Sequence, residues 1–477
     1  MSYQDQDTLG RSLTDLLKAK GRSRRGAQKV GETLLAAPPS RRNDLTPTLE
    51  PVQRHPQDLI IPARNVRAID QAHVKAIAGA VMEWGFNDPV LIDEAGVVLD
   101  GVVRVQAAKS LNLDSIPCVV ARHLTPAQKR QLRLAINRLQ EKGSWDLPTL
   151  QLEMNELILE DISLEYTGFT IGEVDQITLD DGLPVEESGP LQPDREAVAV
   201  AKLGDIYALG QHRIVCGDAR DGAAIGAIMS GEQARLIATD EPYNVKIGGH
   251  VTRGAHCEFA MASGEMSDLE FAAFNTAWMR EALAFLCDGG WFGTFIDWRG
   301  LSIVNTAAVE LGLTPVNLIV WAKTNAGMGS LYRSQHELFP LFKKGKAPHI
   351  NNINLGKDGR WRSNLWTYAG ASSMGSDARA GLRDHPTTKP VAMLEDALLD
   401  LTNRGDTVLD PFLGSGSTLI AAEKTGRRCR GLEIDPGYVD VVIRRWQVLT
   451  GREAILESTG KTFAQVQHEA TGTDVLA

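Results

Sequence analysis

One stretch near the carboxyl end of the chain constrains the fold more than any other: "TVLDPFLGSGSTLIAAEKTGRRCRGLEIDP", residues 407–436. An apolar run ends in Asp410, a glycine-rich turn leads into an apolar helical segment, and a second apolar run ends in Glu433, 19 residues after Gly414. This order is typical of a doubly wound α/β nucleoside site, where glycines admit the ligand to the backbone and a carboxylate accepts hydrogen bonds from ribose hydroxyls. A tight turn without a ligand is the alternative.

A second motif, "ATDEPYNV" at residues 238–245, places two acids at the end of another apolar run. Pro242 fixes the backbone φ at about −65°, and Tyr243 follows it. A surface turn is the simplest interpretation of these residues. Two shorter motifs accompany them, "CGDA" at 216–219 and "HPTTKP" at 385–390.

Together these motifs resemble, in order and spacing, those of the DNA amino-methyltransferases, which transfer a methyl group from S-adenosylmethionine to adenine N6 or cytosine N4. The resemblance covers roughly residues 200–455, and the order, catalytic motif before cofactor loop, is that of the β class. It implies a Rossmann-like α/β domain that acts on double-stranded DNA. The cofactor site that it implies consists of Asp218, His385, Thr387, Lys389, Asp410, Phe412, Gly414, Gly416 and Glu433.

The same resemblance gives the "DEPY" motif a catalytic role. Asp240 and a backbone carbonyl are expected to accept the hydrogens of the target amine, while Pro242 holds that carbonyl and Tyr243 stacks on a base swung out of the duplex. Aspartate in the first position favours adenine N6, with cytosine N4 as the alternative. The family usually has proline where this chain has Glu241, so we expect a second carboxylate near the base that repels phosphates. No metal is required.

The amino-terminal part predicts a smaller α/β unit. Residues 51–125 resemble the ParB-like (ParB/Srx) fold, in which a glycine turn and an arginine at a helix start form a phosphate-binding corner. Gly101 and Arg104 stand at the matching positions, and Val102 replaces a residue that is often polar. A DNA-positioning or structural role and a nucleotide site both stay open. Fusions of this unit with a methyltransferase are common in phage and bacterial genomes.

Composition shifts divide the chain into six segments. These are a basic flexible arm (1–50), the ParB-like domain (51–125), a helical segment (126–185), a linker (186–200), the methyltransferase domain (201–455) and a tail (456–477). The arm could be a solvated tail or a loose phosphate-binding segment, and the linker is rich in proline, glycine and acids.

The net charge of −10 conceals a basic region. Residues 322–389 carry eleven Lys and Arg against four acids, which favours contact with the DNA backbone, although a solvated loop has the same composition. The candidates for DNA contact are Lys343, Lys344, Lys346, Arg360, Trp361 and Arg362.

The remaining composition sets broad limits. Five cysteines lie far apart without a CxxC pair, which predicts neither a zinc site nor a disulfide framework. The start of the chain lacks the pattern of a secretory signal and no apolar run could span a bilayer, so we expect a cytoplasmic protein without membrane contact, encoded by a bacterium or a phage. Two function classes follow: an active DNA methyltransferase, or a DNA-binding ParB-like protein with weak catalysis. The sequence does not set the oligomeric state.

Overall fold

The computed structural model describes most of the chain in two compact units, Met1–Ser144 and Trp145–Ala477. The division falls inside the predicted helical segment 126–185. The described residues are 49–65, 67–140, 142–160, 162–164, 166–178, 193, 198–245, 264–324, 326, 331–353, 362–368 and 389–471. Most of the predicted arm, and most of the predicted linker, lie outside them.

The first unit is a small α/β fold. Its described strands form one sheet in the order β1-β4-β2-β3, with β2 and β4 parallel and the other pairs antiparallel. Valine and isoleucine side chains of these strands form its core with α2. The elements are β1 (Glu50–Arg54), α1 (Gln71–Trp84), β2 (Val90–Ile92), β3 (Val98–Asp100), α2 (Val102–Ser110), β4 (Ile116–Val120) and α3 (Pro126–Gln140).

Gly101 joins β3 to α2 at the predicted phosphate-binding corner. Its φ of 94° lies in the left-handed region, and a Cβ there would come within 2.8 Å of Nε of Arg104. The Arg104 guanidinium pairs with Asp88 and, at 2.7 Å, with Asp100, and 16% of its side chain is exposed. The positive charge of this corner is therefore already balanced by two carboxylates.

The second unit is built on one large sheet. Its described strands are β5 (Ile206–Leu209), β6 (His212–Cys216), β7 (Ala234–Thr239), β8 (Leu286–Thr294), β9 (Leu313–Lys323), β10 (His336–Lys344), β11 (Leu365–Tyr368), β12 (Thr407–Asp410), β13 (Arg428–Glu433), β14 (Ile455–Leu456) and β15 (Lys461–Thr462). Its described helices are α4 (Leu147–Leu159), α5 (Ile171–Thr178), α6 (Gly222–Met229), α7 (Asp268–Ala284), α8 (Leu301–Glu310), α9 (Val391–Leu401), α10 (Ser417–Thr425), α11 (Pro436–Thr450) and α12 (Phe463–Thr471).

Parallel pairing in the middle of this sheet determines where the site can lie. The strand order is β11-β9-β10-β8-β7-β12-β13-β6-β5-β14-β15, and the five strands from β8 to β6 are mutually parallel. Strands β7, β8 and β12 are mostly apolar and buried, and two separate core clusters fill the space between the sheet and its helices. The carboxyl ends of all five strands meet at one edge.

The Rossmann-like α/β prediction for this part of the chain is confirmed. The glycine-rich stretch forms β12, a turn, α10 and β13 in the predicted order, and α10 ends at Gly426 with φ 68°. Among the residues that the structure describes, no helix combines the length and apolar character needed to cross a membrane.

A buried ion pair fixes α5 to the sheet. Arg427, which has no exposed side-chain surface, donates from Nη2 to Oδ2 of Asp175 at 2.7 Å and to the carbonyl of Thr402 at 2.8 Å. Arg404 also pairs with Asp175 at 3.3 Å. Removing one partner of such a pair leaves an uncompensated buried charge, whose desolvation is no longer offset.

Asp175→Ala is therefore expected to lower the free energy of unfolding of this unit by about 3 kcal/mol. Urea denaturation followed by tryptophan fluorescence measures the change. Gln176→Ala, an exposed substitution on the same helix, is the control and should shift the midpoint little. Equal effects of the two variants would show that the ion pair does not fix α5.

Candidate active site

The carboxyl edge of the parallel strands collects the acidic residues that the sequence singled out. Asp240 follows β7, Asp410 ends β12, Glu433 ends β13 and Asp218 lies two residues beyond β6. In open α/β sheets this edge is where ligands bind. The strand pairing thus brings together residues that are up to 433 − 218 = 215 positions apart in the chain.

The turn after β12 can accommodate a ligand close to its backbone. Gly414 has φ 54°, and no atom lies within 4 Å of the position that its Cβ would occupy. Gly416 has φ 87°, and a Cβ there would meet Val442 at 3.0 Å. The first glycine therefore leaves open space in front of the turn, while the second permits close packing of α10 against α11.

Glu433 is tied to this turn through both of its carboxylate oxygens. Oε2 accepts from the backbone N–H of Gly414 at 2.8 Å, and Oε1 accepts from that of Asp435 at 2.9 Å. Burial raises the pKa of Glu433 to about 7, and the two backbone donors oppose that rise. A carboxylate has about four acceptor positions, so positions remain for two ribose hydroxyls.

Asp410 links the glycine turn to the neighbouring strand β7. Its Oδ1 accepts from Oγ1 of Thr239 at 2.6 Å and from the backbone N–H of Phe412 at 3.1 Å. Burial raises the pKa of Asp410 to about 6. The Phe412 ring packs edge-on against Trp278, with ring centroids 5.2 Å apart. Asp410 is thus engaged in positioning the turn.

The other predicted cofactor residues have different surroundings. Asp218 is partly exposed and pairs with Arg220 at 2.6 Å, and this hydrogen-bonded partner lowers the pKa of Asp218 although partial burial opposes it. His385 and Thr387 lie outside the described residues.

Asp240 and Tyr243 belong to a partly buried network of charged and polar groups. The Tyr243 hydroxyl lies 2.7 Å from Oδ1 of Asp240 and 3.0 Å from Oε2 of Glu337. The Lys389 ammonium donates to Oδ2 of Asp240 at 2.6 Å, to Oε2 of Glu337 at 3.1 Å and to the Tyr243 hydroxyl at 3.2 Å. A second ammonium, that of Lys323, binds Oε1 of Glu337. Lys389, expected in the cofactor site, thus contacts the catalytic motif directly.

The pKa values of the two carboxyl groups in this network shift in opposite directions. Burial raises the pKa of Asp240, and the nearby charge of Lys389 only partly opposes it. Burial acts on Glu337 in the same sense, but two ammoniums outweigh it and lower the pKa of Glu337 to about 2. Surroundings that shift the pKa values of two acids apart in this way are typical of sites that transfer protons.

The side chain of Glu241 lies in the protein interior. It is 1% exposed, Oε2 bonds the hydroxyl of Thr294, and Oε1 has no hydrogen-bond partner among the described residues. Burial raises the pKa of Glu241 well above its usual value. The expected repulsion of phosphates is therefore corrected, because the carboxyl lies in the protein interior, where burial favours its uncharged form.

The Thr294 hydroxyl links Glu241 to the end of β7. It donates to Oε2 of Glu241 and also lies 3.4 Å from the carbonyl oxygen of Thr239. This chain of bonds holds the turn after β7 against the end of β8.

Four residues of the site were missed by sequence reasoning: Lys323, Glu337, Thr239 and Thr294. Lys323 ends the apolar strand β9 and Glu337 is near the start of β10, where the pairing of the two strands brings them together. The sequence pattern that could have identified them is a charged residue at the end of an apolar run, the same pattern that identified Asp240. The sequence did not give the pairing of the strands.

Several cations of the basic region are engaged inside the protein. Lys344 donates to the carbonyls of Leu283 and Leu286, each at 2.6 Å. Arg362 pairs with Asp396 at 2.5 Å and with Asp400 at 2.8 Å. These contacts favour structural roles for Lys344 and Arg362. Other candidates differ: Lys346 is exposed, Lys343 is half-buried, and Arg360 and Trp361 lie outside the described residues.

Comparison with known proteins places the chain in a family. Residues 234–444 match the family described as DNA methylase. The type II methyltransferase M2.DpnII of Streptococcus pneumoniae is 30% identical over 229 residues, which cover 46% of this chain and 84% of that protein. The type II methyltransferase M2.LlaDCHI of Lactococcus lactis subsp. cremoris is 29% identical over 226 residues, 45% of this chain and 82% of that protein. The chain belongs to the DNA methylase family.

A solved structure, the complex of M1.HpyAVI with SAM, covers 49% of this chain and 97% of its own at 23% identity, with a TM-score of 0.37. The chain is a DNA methyltransferase, its substrate is DNA and its cofactor is S-adenosylmethionine. Its residues fit that cofactor, because the open space before Gly414 admits a ligand to the backbone and Glu433 stands beside it. Among the described residues, no cluster of His, Cys, Asp and Glu could hold a metal ion.

Glu241→Gln should become progressively more stable than the unchanged protein as the pH rises from 5 to 9. The folded-state pKa of Glu241 lies above the unfolded value of 4.5, so its stabilising contribution is complete below pH 4.5 and is lost as the pH rises towards the folded-state pKa. Glutamine keeps the neutral form at every pH. Melting temperatures across this range measure the difference, and two parallel curves would contradict a raised pKa of Glu241 in the folded state.

Proposed function

We propose that this chain transfers a methyl group from S-adenosylmethionine to N6 of adenine in double-stranded DNA, with Asp240 as the residue that binds the amine. The observation that carries the proposal is the position of Asp240: it follows β7, which pairs directly with β12, whose end leads into the glycine turn. The relatives are named type II methyltransferases, which supports a role in restriction and modification.

The chemistry that Asp240 must perform follows from the nature of the amine. An exocyclic amine is a poor nucleophile because its lone pair is delocalised into the base. Asp240 accepts one amine hydrogen and the backbone carbonyl of Glu241 accepts the other, so the nitrogen becomes more tetrahedral and its lone pair turns out of the ring plane. Pro242 restricts the backbone that carries this carbonyl. When bound, the cofactor supplies an electrophilic methyl group on a sulfonium.

Tyr243 has two roles in this proposal. Its half-buried ring offers a face to a base swung out of the duplex, and such stacking contributes about 1–3 kcal/mol. Its hydroxyl holds the Asp240 carboxylate at 2.7 Å. The ring is in turn held by the Lys389 ammonium, 5.5 Å from its centroid.

The cofactor roles proposed for the other residues follow their positions. Gly414, Gly416 and Phe412 shape the turn, Asp410 holds it, and Glu433 accepts hydrogen bonds from the ribose. Asp218, at the end of the adjacent strand β6, is proposed for the adenine side. Further proposed contacts are His385 and Thr387 with the cofactor, and Lys343, Lys346, Arg360 and Trp361 with DNA.

We also propose that the amino-terminal unit is a ParB-like domain within the six-part division 1–50, 51–125, 126–185, 186–200, 201–455 and 456–477. Its support is the glycine turn at Gly101, the helix that begins there and Arg104 in the first turn of that helix. A nucleotide phosphate would have to displace Asp88 or Asp100 from the guanidinium. DNA positioning without nucleotide is the other role for this unit.

Asp240→Ala is expected to reduce methyl transfer by at least about a hundredfold, because the amine loses its acceptor, while the cofactor still binds through the Gly414 turn and Glu433. Mass spectrometry of nucleosides from treated DNA identifies the product, and calorimetry measures cofactor binding. Asp268→Ala, an exposed aspartate on α7, is the control and should retain activity. N4-methylcytosine as the product would overturn the base assignment, and full activity in Asp240→Ala would overturn the mechanism.

Arg104→Ala should abolish binding of a nucleoside triphosphate to the chain and leave methylation of a short duplex largely unchanged. The matched control is Arg122→Ala, which removes an exposed arginine paired with Glu50 in the same unit. Nucleotide binding by fluorescence anisotropy and methylation of the duplex are measured side by side. If the unchanged protein binds no nucleotide, the DNA-positioning role is favoured; loss of methylation comparable with that of Asp240→Ala would contradict separate sites.

A further inference from the structure

We infer, on the basis of the function proposed above, that Glu337 is a positioning residue for methyl transfer: its fixed negative charge holds the ammoniums of Lys323 and Lys389 and leaves Asp240 able to take the proton of the amine. Glu337 lies on β10 and Asp240 after β7, and β8 separates these strands in the sheet. The side chains of Tyr243 and Lys389 link the two acids, because each of them contacts both carboxylates.

The geometry around Lys389 accounts for all three of its N–H donors. One bonds Asp240, one the Tyr243 hydroxyl and one Glu337, at 2.6, 3.2 and 3.1 Å. The side chain is 6% exposed, so water cannot replace a lost partner readily. Without Glu337, the charge of Lys389 would act on Asp240 alone.

Charge balance explains why Glu337 is needed. Lys323 and Lys389 supply two positive charges, and Asp240 and Glu337 supply two negative charges. Removing the Glu337 charge leaves two ammoniums beside one carboxylate. Asp240 would then hold its negative charge more strongly and become a weaker base.

The other titratable groups that face Asp240 do not change this balance. Tyr243 donates a hydrogen bond to it, and burial raises the pKa of Tyr243 well above the usual value. Glu241 and Asp410 bond neutral groups and contact neither ammonium, so neither holds Lys323 or Lys389 in place of Glu337. Glu337 differs because its pKa is held at about 2.

The proposed step is balanced in atoms and charge. As the amine nitrogen bonds to the methyl carbon, the carbon–sulfur bond breaks, its electron pair stays on the sulfur, which becomes a neutral thioether, and the nitrogen releases one proton. Asp240 accepts this proton and becomes a neutral acid, while Glu337 keeps its charge and its bond to Lys389. The Asp240 side chain is 28% exposed, which allows the proton to pass to water after the product leaves.

The test compares Glu337→Gln, Lys323→Met and the double variant in methylation assays across pH 5–9. Glu337→Gln should lower kcat by about tenfold or more and move the acid limb of the pH–rate profile about one pH unit lower, while binding of DNA and S-adenosylmethionine changes less than about twofold. Adding Lys323→Met restores the charge balance and should return the limb towards its original position. If the double variant is as impaired as Glu337→Gln and its acid limb has not returned towards the original position, Glu337 has only a packing role.

A second measurement does not need turnover. The melting temperatures of the unchanged protein and of Asp240→Asn are compared across pH, since the pH at which the curves diverge reports the titration of Asp240. In the Glu337→Gln background this pH should be lower, and an equal value would overturn the inference. If Glu337→Gln does not fold, Lys323→Met alone should move the divergence to higher pH. Absence of methylation by the unchanged protein would instead count against the proposed function.

Discussion

The pairing of β7 with β12 is the constraint on which the site depends. It places Asp240 beside the glycine turn, and the hydrogen bond from Thr239 to Asp410 at 2.6 Å fastens the two strand ends together. Because both strands are buried and parallel, their carboxyl ends must lie at the same edge. The catalytic motif and the cofactor turn can therefore be about 170 residues apart in the chain and still form one site.

Burial then gives each acid at this edge a different state. Asp410 and Glu241 bond neutral partners in the interior, and their pKa values rise. Glu337 lies between two ammoniums, so its charge is retained. Asp240 shares one of those ammoniums and remains partly exposed. Four carboxyl groups of similar chemistry thus differ in the direction or size of their pKa shifts because their neighbours differ, which is how one site can hold both a fixed charge and a proton acceptor.

Much of the architecture could be predicted from local pattern. The apolar runs, the glycine turn and the acid at the tip of the next strand gave β12, α10 and β13 in order, because strand, turn and helix preferences are set by neighbouring residues. Charge counts were a weaker guide. Lys344 and Arg362 counted towards a DNA-binding surface, but their side chains bond a helix end and two buried or half-buried acids. A sum over a segment contains no information about which side chains face inward.

The sequence by itself determined the class of the protein. Each of the motifs at 238–245, 385–390 and 407–436 contains the residue types of a methyl-transfer site within one short stretch of the chain. Only the tertiary structure decided which charges meet. Lys323 and Glu337 join Asp240 and Lys389 through pairing of β9, β10, β8 and β7, and the pKa of Glu241 rises because its side chain lies in the interior beside Thr294. Electrostatic state depends on distance and burial, which long-range strand pairing sets and no local pattern contains.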